Sequence, residues 1–146
     1  MKTVIFVLVL LVSLAFAQRG PFKYRDCGSK AKILSVEVEP CDSDPCVFKR
    51  SKTTKVIFSL ISDQDSDTLK LEAKMKFLGF WVSVPGVENN LCKRGIECPI
   101  VKGDAIKGTM ELDPPWYIPK MKTDVEIKIR GEKGMSVCLK STVVIG

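Results

Sequence analysis

The sequence contains no histidine, and it has only two tryptophans and two tyrosines among its 146 residues. Without histidine, the common Ser-His and Cys-His arrangements of nucleophilic catalysis are excluded. Zinc sites are disfavoured as well, because neither histidine nor a paired Cys-x-x-Cys spacing supplies ligands. A carboxylate pair among the 17 acidic residues remains arithmetically open, although none lies in an apolar or glycine-rich context that would raise a pKa. We therefore predict no enzymatic activity, no metal ion and no cofactor.

Long apolar runs are also scarce, and the one that exists lies at the amino terminus. Lys2 precedes the apolar segment 4–14, and Ala15-Phe16-Ala17 places small residues at the −3 and −1 positions. This pattern predicts a secretory signal peptide over residues 1–17, cleaved after Ala17. As an anchor the run is too short for a hydrocarbon layer about 30 Å thick. We expect one mature domain over residues 18–146, secreted into an extracellular fluid.

No block of like charge accompanies the positive balance, which is +6 from 23 basic and 17 acidic residues. The charges alternate in sign along the chain, which favours a solvated surface over a nucleic-acid interface. The row Lys70, Lys74 and Lys76 is most simply an outer sheet face that discourages edge aggregation. Docking to an anionic membrane is the alternative interpretation of that row. We predict a monomer without a nucleic-acid partner, and transient membrane or receptor contact remains open.

Six cysteines are present, and in an exported chain they predict three disulfides. Six cysteines allow 15 pairings, so the sequence alone does not settle which ones form. The spacing favours two local loops, one from Cys41 to Cys46 and one from Cys92 to Cys98. Those loops leave Cys27 to meet Cys138 across about 110 residues, which the chain-entropy argument values at about 4–5 kcal/mol.

Apolar residues recur with a period of two, which is typical of strands buried on one face. The longest such run is 69–77, in which leucine, alanine, methionine and phenylalanine alternate with charged residues. A second run places Leu34, Val36 and Val38 on one face. The segment 113–119 contains three prolines and is predicted to be a rigid, aromatic-rich loop. With turn signals about every ten residues, the pattern predicts an all-β, immunoglobulin-like sandwich of about seven strands.

Three motifs resemble one known family. They are Asp26-Cys27-Gly28-Ser29, the turn Pro40-Cys41-x4-Cys46, and the stretch Cys92-Lys93-Arg94-Gly95-Ile96-Glu97-Cys98-Pro99-Ile100. Together they resemble the ML lipid-recognition family, which includes Niemann–Pick type C2 proteins and dust-mite group 2 allergens. The resemblance spans the mature chain with all six cysteines in register. It implies a sandwich whose sheets splay apart around an apolar cavity, with disulfides at Cys27–Cys138, Cys41–Cys46 and Cys92–Cys98.

The resemblance also implies which residues line the cavity and bind the ligand. The expected lining residues are Val56, Phe58, Leu60, Leu71, Met75, Phe77, Trp81, Val82, Val84, Trp116, Tyr117, Ile118, Pro119 and Ile127. The chain departs from the family at three of the positions compared. Val84 stands where the family has phenylalanine, Ile118 replaces the tyrosine of a Tyr-Pro pair, and Pro114 replaces a valine. The pocket therefore stays apolar but changes its shape, and Trp116 and Tyr117 are expected to supply the missing bulk.

The predicted function is a secreted carrier of one long-chain hydrophobic ligand, either a fatty acid or a hydrophobic chemical signal such as a semiochemical. Cholesterol transport is the alternative within the same class. The chain has no Asn-x-Ser/Thr sequon, which argues against glycan-directed sorting to lysosomes. An immunoglobulin-like adhesion or innate-immune recognition module is the alternative of another class, because alternating apolar residues in a sandwich are usually only core.

Overall fold

The period-two segments form strands in the computed structural model, which describes residues 20–146. The predicted signal peptide, residues 1–17, lies outside the described residues. Ten strands are present: β1 Gly20–Pro21, β2 Arg25–Asp26, β3 Lys32–Glu39, β4 Val47–Phe48, β5 Thr54–Ile61, β6 Lys70–Phe77, β7 Phe80–Ser83, β8 Ala105–Leu112, β9 Met121–Gly131 and β10 Gly134–Ile145. A short 3-10 helix covers Leu91–Lys93. No helix within residues 20–146 has the length and hydropathy needed to cross a membrane.

The strands assemble into two sheets that face each other. One sheet has four strands in the order β1-β3-β5-β8, and the other follows the order β2-β10-β9-β6-β7. The short strand β4 adds to β10 in parallel, and the other pairs are antiparallel. The predicted class, an all-β immunoglobulin-like sandwich, is confirmed. The count differs because β1, β2 and β4 have two residues each, too few to show any alternation.

Strand β3 departs from the predicted pattern at Leu34. Ile33 pairs with Leu60 and Ser35 pairs with Ser59, so Leu34 is an extra residue without a partner of its own. This is a β-bulge, which shifts the face on which side chains lie. Leu34 is 49% exposed, and the prediction that it shares the buried face of Val36 and Val38 is wrong.

Three disulfides join the strands and loops of the described chain, at Cys27–Cys138, Cys41–Cys46 and Cys92–Cys98. Their sequence separations are 111, 5 and 6 residues. The first ties the segment after β2 to the middle of β10. The third closes the loop after the 3-10 helix, where Ile96 is buried in the core. The pairs are those that the family resemblance implies.

Candidate functional site

The core between the sheets has two ends that are filled differently. At the end called here the packed end, the buried side chains of Leu60, Leu71, Ile96 and Ile106 belong to one continuous core. Gly108 shows how tight this packing is. A Cβ added there would lie 2.4 Å from Cζ of Phe58 and 3.0 Å from Cδ1 of Ile96. These distances show that Phe58 and Ile96 fill the space beside Gly108.

The other end, called here the cavity end, contains an apolar cavity. Its empty space is about 660 Å³, including the part open to solvent. The surface exposed inside it is entirely apolar. The lining residues are Phe22, Phe48, Val56, Ala73, Met75, Val84, Pro85, Met110, Leu112, Asp113, Pro114, Ile118, Val125, Ile127, Val143 and Ile145.

Short side chains on both sheets border the cavity. On β6, Ala73 lines the cavity, and Leu71 on the same face does not. On β5, Val56 lines the cavity and Leu60 does not. Longer residues such as Met75 and Met110 line it as well, so these short residues account for only part of the gap.

A loop over residues 113–119, called here the cover loop, closes the cavity end. Asp113, Pro114 and Ile118 of this loop line the cavity. The segment that precedes β5 holds the loop through polar contacts. The Ser51 N–H donates to the Pro114 carbonyl oxygen at 2.9 Å, and the Thr53 hydroxyl donates to Oδ1 of Asp113 at 2.5 Å.

Arg50 also holds the cover loop, through two hydrogen bonds. Its Nη1 donates to the carbonyl oxygens of Trp116, at 3.1 Å, and of Ile118, at 3.2 Å. Ile118 is only 8% exposed and packs against Met75 and Ile145 inside the cavity end. The cover loop is therefore apolar on its inner side and hydrogen-bonded on its outer side.

The residues expected to bind the ligand occupy three kinds of position. Five of them line the cavity: Val56, Met75, Val84, Ile118 and Ile127. Phe58, Leu60 and Leu71 are buried outside the lining, in the core cluster that includes the packed end. The remaining six are half-buried or exposed and do not line it: Phe77, Trp81, Val82, Trp116, Tyr117 and Pro119.

Strand β7 shows why Trp81 is remote from the cavity. Lys76 is the cross-strand partner of Trp81, and Met75 is the partner of Val82. Because cross-strand partners point to the same face, Val82 lies on the side of Met75, which lines the cavity, and Trp81 lies on the outer side. The ammonium groups of Lys76 and Lys140 each lie 6.0 Å from the Trp81 ring centroid there.

Sequence reasoning missed eleven of the lining residues. Phe22 and Phe48 lie in or next to two-residue strands, where no periodicity can be read. Val125, Val143 and Ile145 lie on the long strands β9 and β10, where alternation gives the face of a residue and not its position along the sheet. Asp113 was recognised only as part of a rigid loop, and Pro114 was compared with a family cavity position but was not among the expected lining residues. The others missed are Ala73, Pro85, Met110 and Leu112.

Fold and site together define a β-sandwich with an apolar cavity between its sheets, closed by a hydrogen-bonded loop. A sequence model described as the ML domain matches residues 21–145. The chain therefore belongs to the ML domain family, a family of lipid-binding proteins.

Two relatives and one solved structure illustrate the relationship. Mite group 2 allergen Pso o 2 of Psoroptes ovis is 36% identical over 139 residues, which cover 95% of this chain and 94% of that protein. NPC intracellular cholesterol transporter 2 of Danio rerio is 32% identical over 139 residues, covering 94% and 93%. The crystal structure of a Niemann-Pick type C2 protein from Japanese carpenter ant superposes with a TM-score of 0.77 at 23% identity, covering 86% of this chain and all of that one. That structure supports the same fold.

Proposed function

We propose that this protein is a secreted, monomeric lipid carrier that binds one long-chain hydrophobic ligand in the cavity between its sheets. The ligand is a fatty acid or a hydrophobic chemical signal of similar length, such as a semiochemical. The observation that carries the proposal is the entirely apolar surface of the cavity. A polar group placed there without a partner would lose about 2–7 kcal/mol on leaving water, so the site selects an alkyl portion.

The binding energy would come from removing the alkyl chain from water. Each buried methylene contributes about 0.8 kcal/mol, and association itself costs about 4–15 kcal/mol in lost translational and rotational freedom. A fully buried chain of roughly 16 carbons gains about 13 kcal/mol, which gives micromolar affinity when the association cost lies near the lower end of that range. No catalytic step is required for this activity.

The flexibility of an alkyl chain favours a single chain over a fused ring system as the ligand. An alkyl chain is flexible and thin, whereas a sterol is rigid and would separate the sheets further. Sterol binding is the second candidate, because the Danio rerio relative is named as a cholesterol transporter.

Two measurements on the purified protein test the carrier function. Native mass spectrometry should reveal a bound mass of a few hundred daltons, whereas an adhesion or recognition module without an internal ligand would show the bare chain. Displacement of a fluorescent fatty-acid analogue by oleate and by cholesterol then ranks the two ligand classes. Displacement by cholesterol alone would reverse the ranking, and the absence of any bound or displaced lipid would overturn the carrier function.

A cavity-filling variant and a matched control locate the binding. Ala73→Phe places a ring inside the cavity, and Lys74→Phe places the same ring on the opposite face of β6, where Lys74 is exposed. We expect Ala73→Phe to weaken binding about tenfold, because overpacking a cavity that the ligand already fills costs about 1–3 kcal/mol. Lys74→Phe should bind like the parent protein. Equal affinities for the two variants would exclude the cavity as the binding site.

A further inference from the structure

A groove with four cationic side chains lies against the outer side of the cover loop. The groove, called here the basic groove, is lined by Val47, Lys49, Arg50, Ser51, Lys52, Trp116, Lys120 and Gly146. No acidic side chain is among its lining residues. None of the ion pairs found within residues 20–146 involves the four cations. The side chains of the groove therefore carry only positive charge, which attracts anions.

Arg50 is built into the groove as an oriented donor. Its Nη1 is held by the carbonyl oxygens of Trp116 and Ile118, and those contacts fix the plane of the guanidinium. Within the described residues, Nε and Nη2 of Arg50 make no hydrogen bond. That free edge presents two parallel N–H donors, the geometry that binds a carboxylate or a phosphate in bidentate fashion.

Three residues connect the basic groove to the cavity. Ile118 lines the cavity, and its carbonyl oxygen accepts a hydrogen bond from Arg50 of the groove. Phe48 lines the cavity two residues before Arg50, and Ile145 lines it next to Gly146 of the groove. A ligand chain that leaves the cavity at the cover loop would therefore have its end group near Arg50.

We propose that the basic groove binds the anionic headgroup of the ligand whose alkyl chain occupies the cavity, with Arg50 as the bidentate partner. This inference rests on the proposed carrier function and narrows it to anionic amphiphiles, of which fatty carboxylates are the simplest. The apolar cavity cannot solvate a carboxylate, so the headgroup must lie outside it. Lys49, Lys52 and Lys120 add attraction that salt screens, and Trp116 covers the stem of the headgroup.

The test compares two ligands that differ only in the head: tetradecanoate and 1-tetradecanol, each displacing the same fluorescent probe at pH 7.5. We expect the acid to bind the parent protein about tenfold more tightly than the alcohol, the factor that a charge-assisted hydrogen bond supplies. The ratio should shrink when sodium chloride is raised from 20 mM to 500 mM. Equal affinity for acid and alcohol would overturn the basic groove as a headgroup site.

Variants separate headgroup binding from support of the cover loop. Arg50→Gln should lower the ratio of acid to alcohol affinity from about tenfold to about threefold, because the lysines of the groove still attract the acid. Because Arg50 also holds the loop, the alcohol affinity is measured in parallel, and an equal loss for both ligands would mean that Arg50 is only structural. Lys52→Gln/Lys120→Gln leaves the loop contacts intact and should lower the ratio about threefold through lost charge.

Matched controls complete the design. Lys70→Gln/Lys74→Gln removes the same charge from exposed positions on β6 and should leave the ratio unchanged; a change as large as that of the groove variants would overturn the proposal. Butyrate and inorganic phosphate, added at constant ionic strength, should not displace the probe. Displacement by either would mean that anions compete for the site without a chain in the cavity, which would overturn the proposal that the groove serves as the headgroup part of the cavity site. Failure of both long-chain ligands to bind would instead overturn the carrier function itself.

Discussion

The packed end and the cavity end are built from the same strands, yet they are stabilised in different ways. At the packed end, leucine and isoleucine side chains interdigitate, and polar groups of the adjoining loops hydrogen-bond with one another. Gln64, for example, donates to the Ser136 hydroxyl at 2.8 Å and accepts from the Lys133 N–H at 2.9 Å. At the cavity end, a gap remains between the side chains of the two sheets, and Arg50 and Thr53 hold the cover loop through hydrogen bonds. One end resists change through packing, and the other is closed by a few polar contacts.

The largest expected contrast comes from truncating one inward residue at each end of β6. Leu71→Ala should lower the free energy of unfolding by about 2–5 kcal/mol, because it opens a void in a filled core. Met75→Ala should lower the free energy of unfolding by less, about 2 kcal/mol, since the Met75 side chain already borders empty space. Urea unfolding measures both. Ligand affinity should fall more in Met75→Ala than in Leu71→Ala. An equal loss of stability at the two positions would contradict the difference between the two ends.

A smaller effect is expected from the close approach at Gly108. Gly108→Ala should destabilise the protein by about 1–3 kcal/mol through overpacking against Phe58. In a double-mutant cycle, Phe58→Leu removes the clashing ring atoms, so the two changes together should cost less than their sum. Additive losses would show that the ring is not the obstacle. Ligand affinity should stay constant throughout, because Gly108 and Phe58 do not line the cavity.

The polar closure of the cavity end predicts a mainly kinetic effect. Thr53→Val removes the hydrogen bond to Asp113, which contributes about 0.5–1.5 kcal/mol, and should accelerate ligand exchange by loosening the cover loop. Stopped-flow displacement measures the rate. Thr142→Val is the matched control, since the Thr142 hydroxyl donates to Oδ1 of Asp124 at 2.7 Å away from the cavity lining. Equal exchange rates in the two variants would argue against the loop as the exit.

The smallest effect is expected from Asp26, which precedes the disulfide to β10. The Ser29 and Gly28 N–H groups donate to its Oδ1, both at 2.8 Å, and these bonds hold the pKa of the carboxyl below its ordinary value. A lowered folded-state pKa contributes stability above the unfolded-state pKa, and that contribution is lost as pH falls through the folded-state pKa. Asp26→Asn should therefore flatten the fall in stability below about pH 4. Because Asp26 is exposed, the change should be slight; an unchanged pH profile would contradict the role of these bonds.

The fold class could be predicted because its determinants are local or depend on spacing. Alternation along 69–77 identified β6, and the cysteine motifs indicated the family. The cavity lining could be predicted only in part. Leu60 shares a face of β5 with Val56, and Leu71 shares a face of β6 with Met75. Periodicity cannot tell which residue of a strand lies at which end of the sandwich. The contacts of Arg50 with the cover loop join residues 66 and 68 positions apart, and no local pattern encodes them.

The apolar lining of the cavity predicts the enthalpy and heat-capacity change of ligand binding. Cavities lined only by apolar groups tend to stay dry, so a ligand that enters one displaces little ordered water. Its association should then be driven by enthalpy near room temperature, and the loss of exposed alkyl surface should give a negative heat-capacity change. Titration calorimetry at several temperatures would thus show heat release that grows on warming. Dispersion contacts between the cavity wall and the chain would add to the free energy gained by removing that chain from water.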